Sequence, residues 1–354
     1  MLERCDSTTV SLPAEINTAT RTLHTTLNRL ITSRLPLALP PHASDPTLYA
    51  TGLVHFAHIY LTFESLWADT IRDYTPHSEP TASSNSPLLS YLLVNPYDSP
   101  SLFTSTLGAP TQPSPLLAAF LQSLRPRGLV RSVRLKKDLE YLLDLHPTDL
   151  EVLLAKYPGD KVADFCTHIR KSVNEKPWTL VSYAWCFYMA VFSGGRWIRG
   201  GLLNAGPEFW PASDKVDLQQ CGLSFWHFPG AHDGEDIKAD FKTRLGAAEA
   251  LFTPDERVDI IEEAKAIFHL CAGLVQELDE LVGTDLSLAE TNRRQPTPSE
   301  EKPPMNEKKA ESVTRVGRIS VPNDPLMRFL RRPELTGSIV ALACLACVAF
   351  VRLQ

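Results

Sequence analysis

The chain has 354 residues, 44% of them hydrophobic, and carries a formal net charge of −6. A chain of this length can bury one large core with appendages, and we expect one domain with a tail. The acidic balance and the lack of a long basic run argue against nucleic-acid binding.

The cysteines predict a reducing compartment. Seven of them are scattered along the chain, an odd number without a disulfide-like pattern. The N-terminal tail, residues 1–13, contains no apolar core of signal-peptide type. We therefore expect the fold to begin in the cytosol.

The first predicted helix covers residues 15–30, with apolar side chains at helical spacing along one face. His24 flanks that face. A histidine in such a position is more often packed in a core than bound to a ligand, yet a neutral imidazole is also a common metal ligand. Both interpretations stay open at this point.

The second predicted helix covers residues 48–71 and contains His58-Ile59-Tyr60 followed by Glu64. Tyr60 could hydrogen-bond into a pocket or be satisfied elsewhere in the core. His55 and His58 are spaced like two metal ligands, but the Glu-x-x-His partners of a di-iron bundle are missing.

A composition change follows. Residues 74–126 are rich in Pro, Ser and Thr with short apolar segments such as 115–124, which predicts an extended, partly ordered insertion. Helical patterns resume over residues 129–145, 148–157 and 162–173.

The next pattern, from Trp178 to Leu203, is a long apolar helix interrupted by Gly194-Gly195 and Gly200-Gly201. A glycine in a helix interior costs about 0.5–1 kcal/mol, so these pairs need a reason. Close approach is one, because the backbone at Gly194 and Gly195 could lie against a flat ligand and kink around it. Tight helix packing or a helix end is the alternative.

A basic helix comes next. Residues 236–249 place Lys238 and Lys242 on one face, with Arg244 within two turns. These are either ordinary surface charges or a binding site for a ligand with two carboxylates.

The last core helix is predicted from residue 253 to about 281, with Thr253 and Glu256 as a capping box and Gly283 as the stop. Its apolar face includes Phe268.

Together, segments in five places and in the same order resemble the heme oxygenases. They are Ala19-Thr20-Arg21-Thr22-Leu23-His24, His58-Ile59-Tyr60 with Glu64, Leu135-Lys136-Lys137-Asp138-Leu139, Ser193-Gly194-Gly195 and Gly222-Leu223-Ser224-Phe225-Trp226-His227-Phe228. The resemblance covers nearly all of residues 14–284 apart from the insertion. It implies an all-α fold, a helical bundle that holds heme between the helix of His24 and the glycine-bearing helix.

The resemblance also implies an activity, the oxidative opening of heme to biliverdin, carbon monoxide and ferrous iron. The reaction would use O2 and electrons from NADPH, supplied by a partner like NADPH–cytochrome P450 reductase. Residue roles carried over by motif are His24 as proximal iron ligand, Tyr60, Ser193, Gly194 and Gly195 on the distal side, Lys238, Lys242 and Arg244 at the propionates, and Phe268 at the macrocycle edge.

Val191 departs from the family pattern, which has at this position an Asp that holds a water network. A valine cannot hold such water. Arg196, just beyond the glycines, is the residue that could compensate. Three hypotheses follow: a heme oxygenase, a heme-binding or heme-sensing protein that has lost ring opening, and a helical interaction module that binds no heme. The preserved His24, Gly-Gly and lysine set favours the first.

The C-terminal part differs in character. Residues 285–334 are rich in Pro, Glu, Lys, Ser and Thr, which predicts a disordered linker. Residues 335–351 form an uncharged apolar run near the lower limit of roughly 17 residues for a membrane span. We expect a C-terminal transmembrane tail anchor in a lipid bilayer, with the catalytic domain in the cytosol. The endoplasmic reticulum is the favoured membrane, and the mitochondrial outer membrane is the alternative.

Overall fold

The structure, a computed structural model, describes residues 10–72, 111–211, 217–228 and 230–285. These residues form helices and connecting turns, with no strand among them, as the sequence predicts. In chain order the helices are α1 (Leu12–Arg34), α2 (Thr47–Arg72), α3 (Pro115–Ser123), α4 (Ser132–Leu143), α5 (Pro147–Leu154), α6 (Asp160–Glu175), α7 (Leu180–Tyr183, Ala184–Tyr188 and Met189–Leu203 in succession), α8 (Glu235–Ala247) and α9 (Pro254–Val282).

Helix α2 lies in the centre of the core and packs against α3, α4 and α6. Its buried Glu64 side chain accepts hydrogen bonds from the backbone N–H groups of Arg131 and Ser132, at 2.9 and 3.0 Å, and from the Tyr188 hydroxyl at 2.8 Å. A buried carboxylate is tolerated when such donors surround it. Glu64 thereby joins α2 to the start of α4 and to α7.

Helix α1 lies along α9, and both run in the same direction. At one end the Arg257 Nη2 atom lies 2.8 Å from Glu15 Oε2, and at the other the Arg34 Nη2 atom lies 2.7 Å from Asp279 Oδ2. The α1 side chains buried most deeply include Leu12 and Ile16. Ion pairs near both ends of the contact therefore fix the register of α1 on α9.

The insertion predicted over residues 74–126 is wrong at its C-terminal end, where helix α3 belongs to the core. The segment Pro115–Ser123 is a helix with Ser114 as its N-cap, and its Leu117 and Leu121 side chains are buried in the main core. The Trp67 indole N–H donates to the Leu121 carbonyl at 3.1 Å. Residues 73–110 lie outside the described residues.

Helix α7 continues through both glycine pairs to Leu203. A kink at Gly194-Gly195 stays a prediction. A departure from α geometry comes earlier, in a π-helical segment, Ala184–Tyr188. Such segments are rare and often lie at functional sites.

The boundaries of α9 follow the sequence signals. Thr253 and Glu256 form the capping box, and Gly283 ends the helix in the left-handed conformation at φ 61°. No helix in the described residues has both the length and the apolar character to cross a membrane. The predicted anchor at 335–351 lies outside that part of the chain, as does nearly all of the predicted linker.

Candidate functional site

One face of α7 is open and carries small side chains. Ala190, Ser193 and Gly194 are exposed, and a Cβ atom placed on Gly194 would have no other atom within 4 Å. Ala190 and Gly194 lie one helical turn apart, so they share this face. The result is an open strip, here called the small-residue strip (Ala190, Ser193 and Gly194), against which a flat ligand can lie closely.

Gly195 has the opposite surroundings. A Cβ atom at this position would come 2.9 Å from Cε3 of Trp226, and the Trp226 indole N–H donates to the Tyr49 hydroxyl at 2.7 Å. The expectation that both glycines face a ligand is therefore wrong for Gly195, where tight packing is the reason for the glycine. Gly194 retains the ligand-facing role as a prediction.

Val191 lies in the core, only 1% exposed. No polar side chain replaces the carboxylate that the family pattern has at this position, and Arg196 does not compensate for it. The Arg196 guanidinium donates to Glu235 Oε1 at 2.5 Å and to the Asp233 carbonyl at 2.8 Å, which directs it toward the residues before α8.

Tyr60 is buried behind α7. Its hydroxyl donates to the Phe187 carbonyl at 3.1 Å, inside the π-helical segment, and its ring packs against Phe225 with centroids 4.9 Å apart. Burial, with the nearby Glu64 carboxylate, raises the pKa of Tyr60 well above its usual value. The phenol therefore stays protonated, and its one donor is used by the helix backbone.

His24 is exposed on α1, where its ring meets the Phe268 ring of α9 edge-on at 5.8 Å between centroids. Partial burial lowers the pKa of His24 below its ordinary value, which favours the neutral imidazole at pH 7. Only a neutral imidazole has a lone pair for a metal ion. The side chain therefore has the form that metal binding requires.

Asn17 shows which way the His24 face is turned. The Asn17 Oδ1 atom accepts a hydrogen bond from the Trp185 indole N–H at 3.1 Å, which joins α1 to α7. His24 lies seven residues after Asn17, two helical turns along, and so on the same face of α1. This face is the one turned to α7.

The predicted basic set on α8 divides into two. Lys238 and Lys242 share a face, the Lys238 Nζ atom lying 3.5 Å from Glu235 Oε1. Burial and the nearby Lys238 lower the pKa of Lys242. Arg244 instead pairs with Asp240 at 2.8 Å and donates to the Ser123 carbonyl at 3.0 Å, so it turns toward the end of α3 and away from the lysines.

The histidines on α2 do not form a metal site. Both are buried, and burial, with the nearby His55 and Arg170, lowers the pKa of His58 to about 3. The described residues contain no group of three or more His, Cys, Asp or Glu side chains able to hold a metal ion.

Comparison with known proteins finds similarity to heme oxygenases. A family model described as heme oxygenase matches residues 114–277. The heme-binding protein HMX1 of Saccharomyces cerevisiae is 25% identical over 281 residues, covering 77% of this chain and 76% of the yeast protein. Heme oxygenase 1 of Homo sapiens is 31% identical over 112 residues, covering 31% of this chain and 35% of the human protein. The chain is therefore similar to heme oxygenases in sequence.

Solved heme oxygenases share the fold. The structure of heme oxygenase-2 from Synechocystis sp. PCC 6803 in complex with heme and NO aligns with TM-score 0.54 at 14% identity, covering 81% of this chain and 94% of that one. Heme oxygenase 2 from Chlamydomonas reinhardtii without heme aligns with TM-score 0.51 at 16% identity, covering 75% and 97%. These alignments extend the family likeness to the fold of most of the chain.

The similarity to heme oxygenases supports heme as the ligand, and the residues present fit that group. The small-residue strip leaves room for a flat macrocycle, the neutral His24 imidazole supplies an iron ligand, and the lysine pair on α8 suits carboxylates. The sequence analysis missed Ala190 and Trp226. Helical periodicity backward from Gly194 could have found Ala190, whereas no local signal places Trp226 on Gly195.

Proposed function

We propose that this protein, which is similar to heme oxygenases, binds heme between α1 and α7 and opens it oxidatively to biliverdin, carbon monoxide and ferrous iron. The observation that carries the proposal is the neutral, exposed His24 imidazole on the face of α1 that is turned to α7, the helix with the small-residue strip. When bound, heme supplies the iron that binds O2 and accepts electrons from a reductase fed by NADPH.

The predicted site residues have defined parts in this proposal. His24 would bind the iron, and the ring of Phe268, which meets His24 at 5.8 Å, would limit rotation of the imidazole. The strip, with Ser193 as its one hydroxyl, would let the macrocycle lie against the backbone of α7. Lys238 and Lys242 would bind the propionates, since ammonium groups pair with carboxylates. Arg244 is not assigned to the propionates, because its guanidinium is bonded to Asp240 and to the Ser123 carbonyl.

A second candidate is a heme-binding protein that does not open the ring. The specific observation for it is the absence, among the described distal residues, of a carboxylate or free charged group to organise water: Val191 is buried, the Tyr60 hydroxyl is bonded to Phe187, and Arg196 is paired with Glu235. Ring opening requires a proton supply at the distal side, so this arrangement favours slow turnover or none.

The two candidates are distinguished by product. The full chain, purified in detergent and loaded with hemin, is given NADPH and a cytochrome P450 reductase while its absorbance spectrum is recorded. Loss of the Soret band with release of biliverdin is the result expected for a heme oxygenase. A Soret band that persists with the reductase active would leave heme binding as the function.

A matched pair of histidine variants tests the binding site itself. His24→Ala should weaken hemin binding and remove the spectrum of histidine-bound iron, and added imidazole should restore that spectrum. His42→Ala is the control, because His42 is also exposed but lies in the loop before α2. An unchanged spectrum in His24→Ala would contradict both candidates and favour a helical module that binds no heme.

We also propose that residues 335–351 anchor the protein in a membrane from the cytosolic side, which would bring it near a membrane-bound reductase. The support is the uncharged apolar run with Arg328, Arg331 and Arg332 before it. Removal of residues 335–354 should move the protein from the membrane pellet to the supernatant after cell fractionation. A truncated chain that stays in the pellet would refute the anchor.

A further inference from the structure

A groove of about 620 Å³ lies on another part of the surface. It runs between α4, together with Val130, and the segment from Asp217 to His227. Val130 and Val133 give it an apolar side, and Val133 is 77% exposed. None of the residues assigned above to heme lines this groove. It is therefore a separate site that the proposed function leaves without a use.

The polar lining of the groove has an excess of basic groups. Arg134 and Lys137 line it, with Asp217 as its one carboxylate among the described residues. His227 also lines it, but burial and the nearby Arg199 lower the pKa of His227, which favours the neutral imidazole. No described residue forms an ion pair with Arg134 or Lys137. The neighbouring Lys136 differs, because its Nζ atom lies 2.8 Å from Glu151 Oε1. Helix α4 thus directs one lysine to a carboxylate and leaves the next one in the groove unpaired.

The two walls of the groove are joined by Asp138. Its buried carboxylate accepts hydrogen bonds from the backbone N–H groups of Gly222, Ser224 and Phe225, at 2.8, 3.0 and 2.7 Å, and from the Ser224 hydroxyl at 2.7 Å. These bonds hold the 217–228 segment on α4. Because the walls are fixed in this way, little ordering has to accompany ligand binding.

The same segment separates the groove from α7. His227 and Ser224 line the groove, whereas Trp226 between them packs on Gly195. The Arg199 guanidinium donates to the Trp226 carbonyl at 3.3 Å and lies 3.1 Å from His227 Nδ1. The wall of the groove is therefore supported from behind by α7.

We propose that this groove binds an anion carried on an apolar body, an organic phosphate or carboxylate whose charged group lies at Arg134 and Lys137 and whose apolar part lies on Val130 and Val133. Charge-assisted hydrogen bonds from a guanidinium and an ammonium suit either anion. The valines add binding through burial of apolar surface, which a bare inorganic ion cannot use.

The test is calorimetric titration of the full chain, in detergent and loaded with hemin, with three probes: 1-naphthyl phosphate, 1-naphthoate and inorganic phosphate. We expect saturable one-to-one binding of at least one naphthyl probe, and binding of inorganic phosphate about tenfold weaker or more. The tighter naphthyl probe identifies the anion. Lack of saturable binding by both naphthyl probes, or equally tight inorganic phosphate, would overturn the proposal.

Variants locate the binding to the groove. The double variant Arg134→Gln/Lys137→Gln should weaken the naphthyl probe by about tenfold or more, since two charged contacts are lost. Lys136→Gln removes the same charge one residue away and should leave the affinity within about twofold. Val133→Glu, at an exposed position that folding does not require, should weaken binding by a similar amount to the double variant. Unchanged affinity in both Val133→Glu and the double variant would refute the site.

Discussion

The two helices on either side of the proposed heme site are held in opposite ways. Helix α7 is fixed by buried contacts: the Tyr188 hydroxyl donates to Glu64, the Tyr183 hydroxyl to Glu263, and the Phe187 ring stacks on Phe63 at 5.5 Å. Helix α1 is held chiefly on α9, with partly exposed ion pairs near its two ends. The distal side is therefore built into the core, whereas the side with His24 lies on its surface.

The largest effect on stability should follow from removing Glu64, which joins α2 to α4 and α7. Glu64→Ala leaves the buried N–H groups of Arg131 and Ser132 and the Tyr188 hydroxyl without their acceptor. We expect a loss of about 3–5 kcal/mol in the free energy of unfolding, measured by urea denaturation. Glu262→Ala, at an exposed position on α9, should change it by less than about 0.5 kcal/mol. Similar losses in both variants would contradict the role of Glu64.

The two adjacent glycines of α7 should respond with opposite signs. Gly195→Ala brings a methyl group 2.9 Å from the Trp226 ring, and we expect it to destabilise the fold by about 1–3 kcal/mol. Gly194→Ala meets open space and should stabilise the helix by about 0.5–1 kcal/mol. Thermal unfolding of the two variants measures the difference, and equal shifts would show that Trp226 moves aside freely.

A smaller loss of stability is expected when the ion pair that holds the end of α1 on α9 is broken. Arg34→Ala removes a bidentate ion pair with Asp279 whose side chains are 19% and 14% exposed. Partial solvation limits the cost to roughly 1 kcal/mol. A double-mutant cycle with Asp279→Ala isolates the pair itself. A coupling energy as large as the loss in Glu64→Ala would remove the contrast between the two helices.

The smallest expected effect depends on pH. A hydrogen bond from His168 to Glu263, 3.0 Å long, raises the pKa of His168 above its ordinary value. A raised folded-state pKa adds stability that is fully present below the unfolded-state pKa and is lost as the pH rises through the folded-state value. His168→Gln should therefore lower the unfolding free energy more at pH 5.5 than at pH 8.5. Equal losses at both values would show that the ion pair contributes nothing.

Local sequence signals predict the features that depend on neighbouring residues in the chain. They do not predict those that depend on residues far apart in the sequence. The Thr253 capping box and the Gly283 stop depend on residues within one turn, and both are confirmed. The all-α class follows in the same way from helical periodicity. The difference between Gly194 and Gly195 depends on Trp226, thirty-one residues beyond Gly195 in the chain, and periodicity along one helix does not show which neighbour covers a face.

Two other features show the same limit. Residues 115–123 are mostly apolar but directly follow the Pro-rich segment, and their apolar side chains pack in the core as α3. Arg244 is near the lysines in sequence, but its position on the helix turns it to Asp240 and Ser123. In both cases the contacting residues decide where the segment or side chain lies, and these contacts cannot be read from the sequence pattern.

The π-helical segment Ala184–Tyr188 lies in α7 just before the small-residue strip. A π-helical turn, with its i→i+5 hydrogen bonds, holds about one residue more than an α-helical turn. Loss of one residue within the segment would therefore let it close into an ordinary α-helix and leave Ala190 and Gly194 on their face. The change would be local, at the contact where the Tyr60 hydroxyl donates to the Phe187 carbonyl. The same deletion placed after the segment, in regular α-helix, would instead turn the residues beyond it by about 100°.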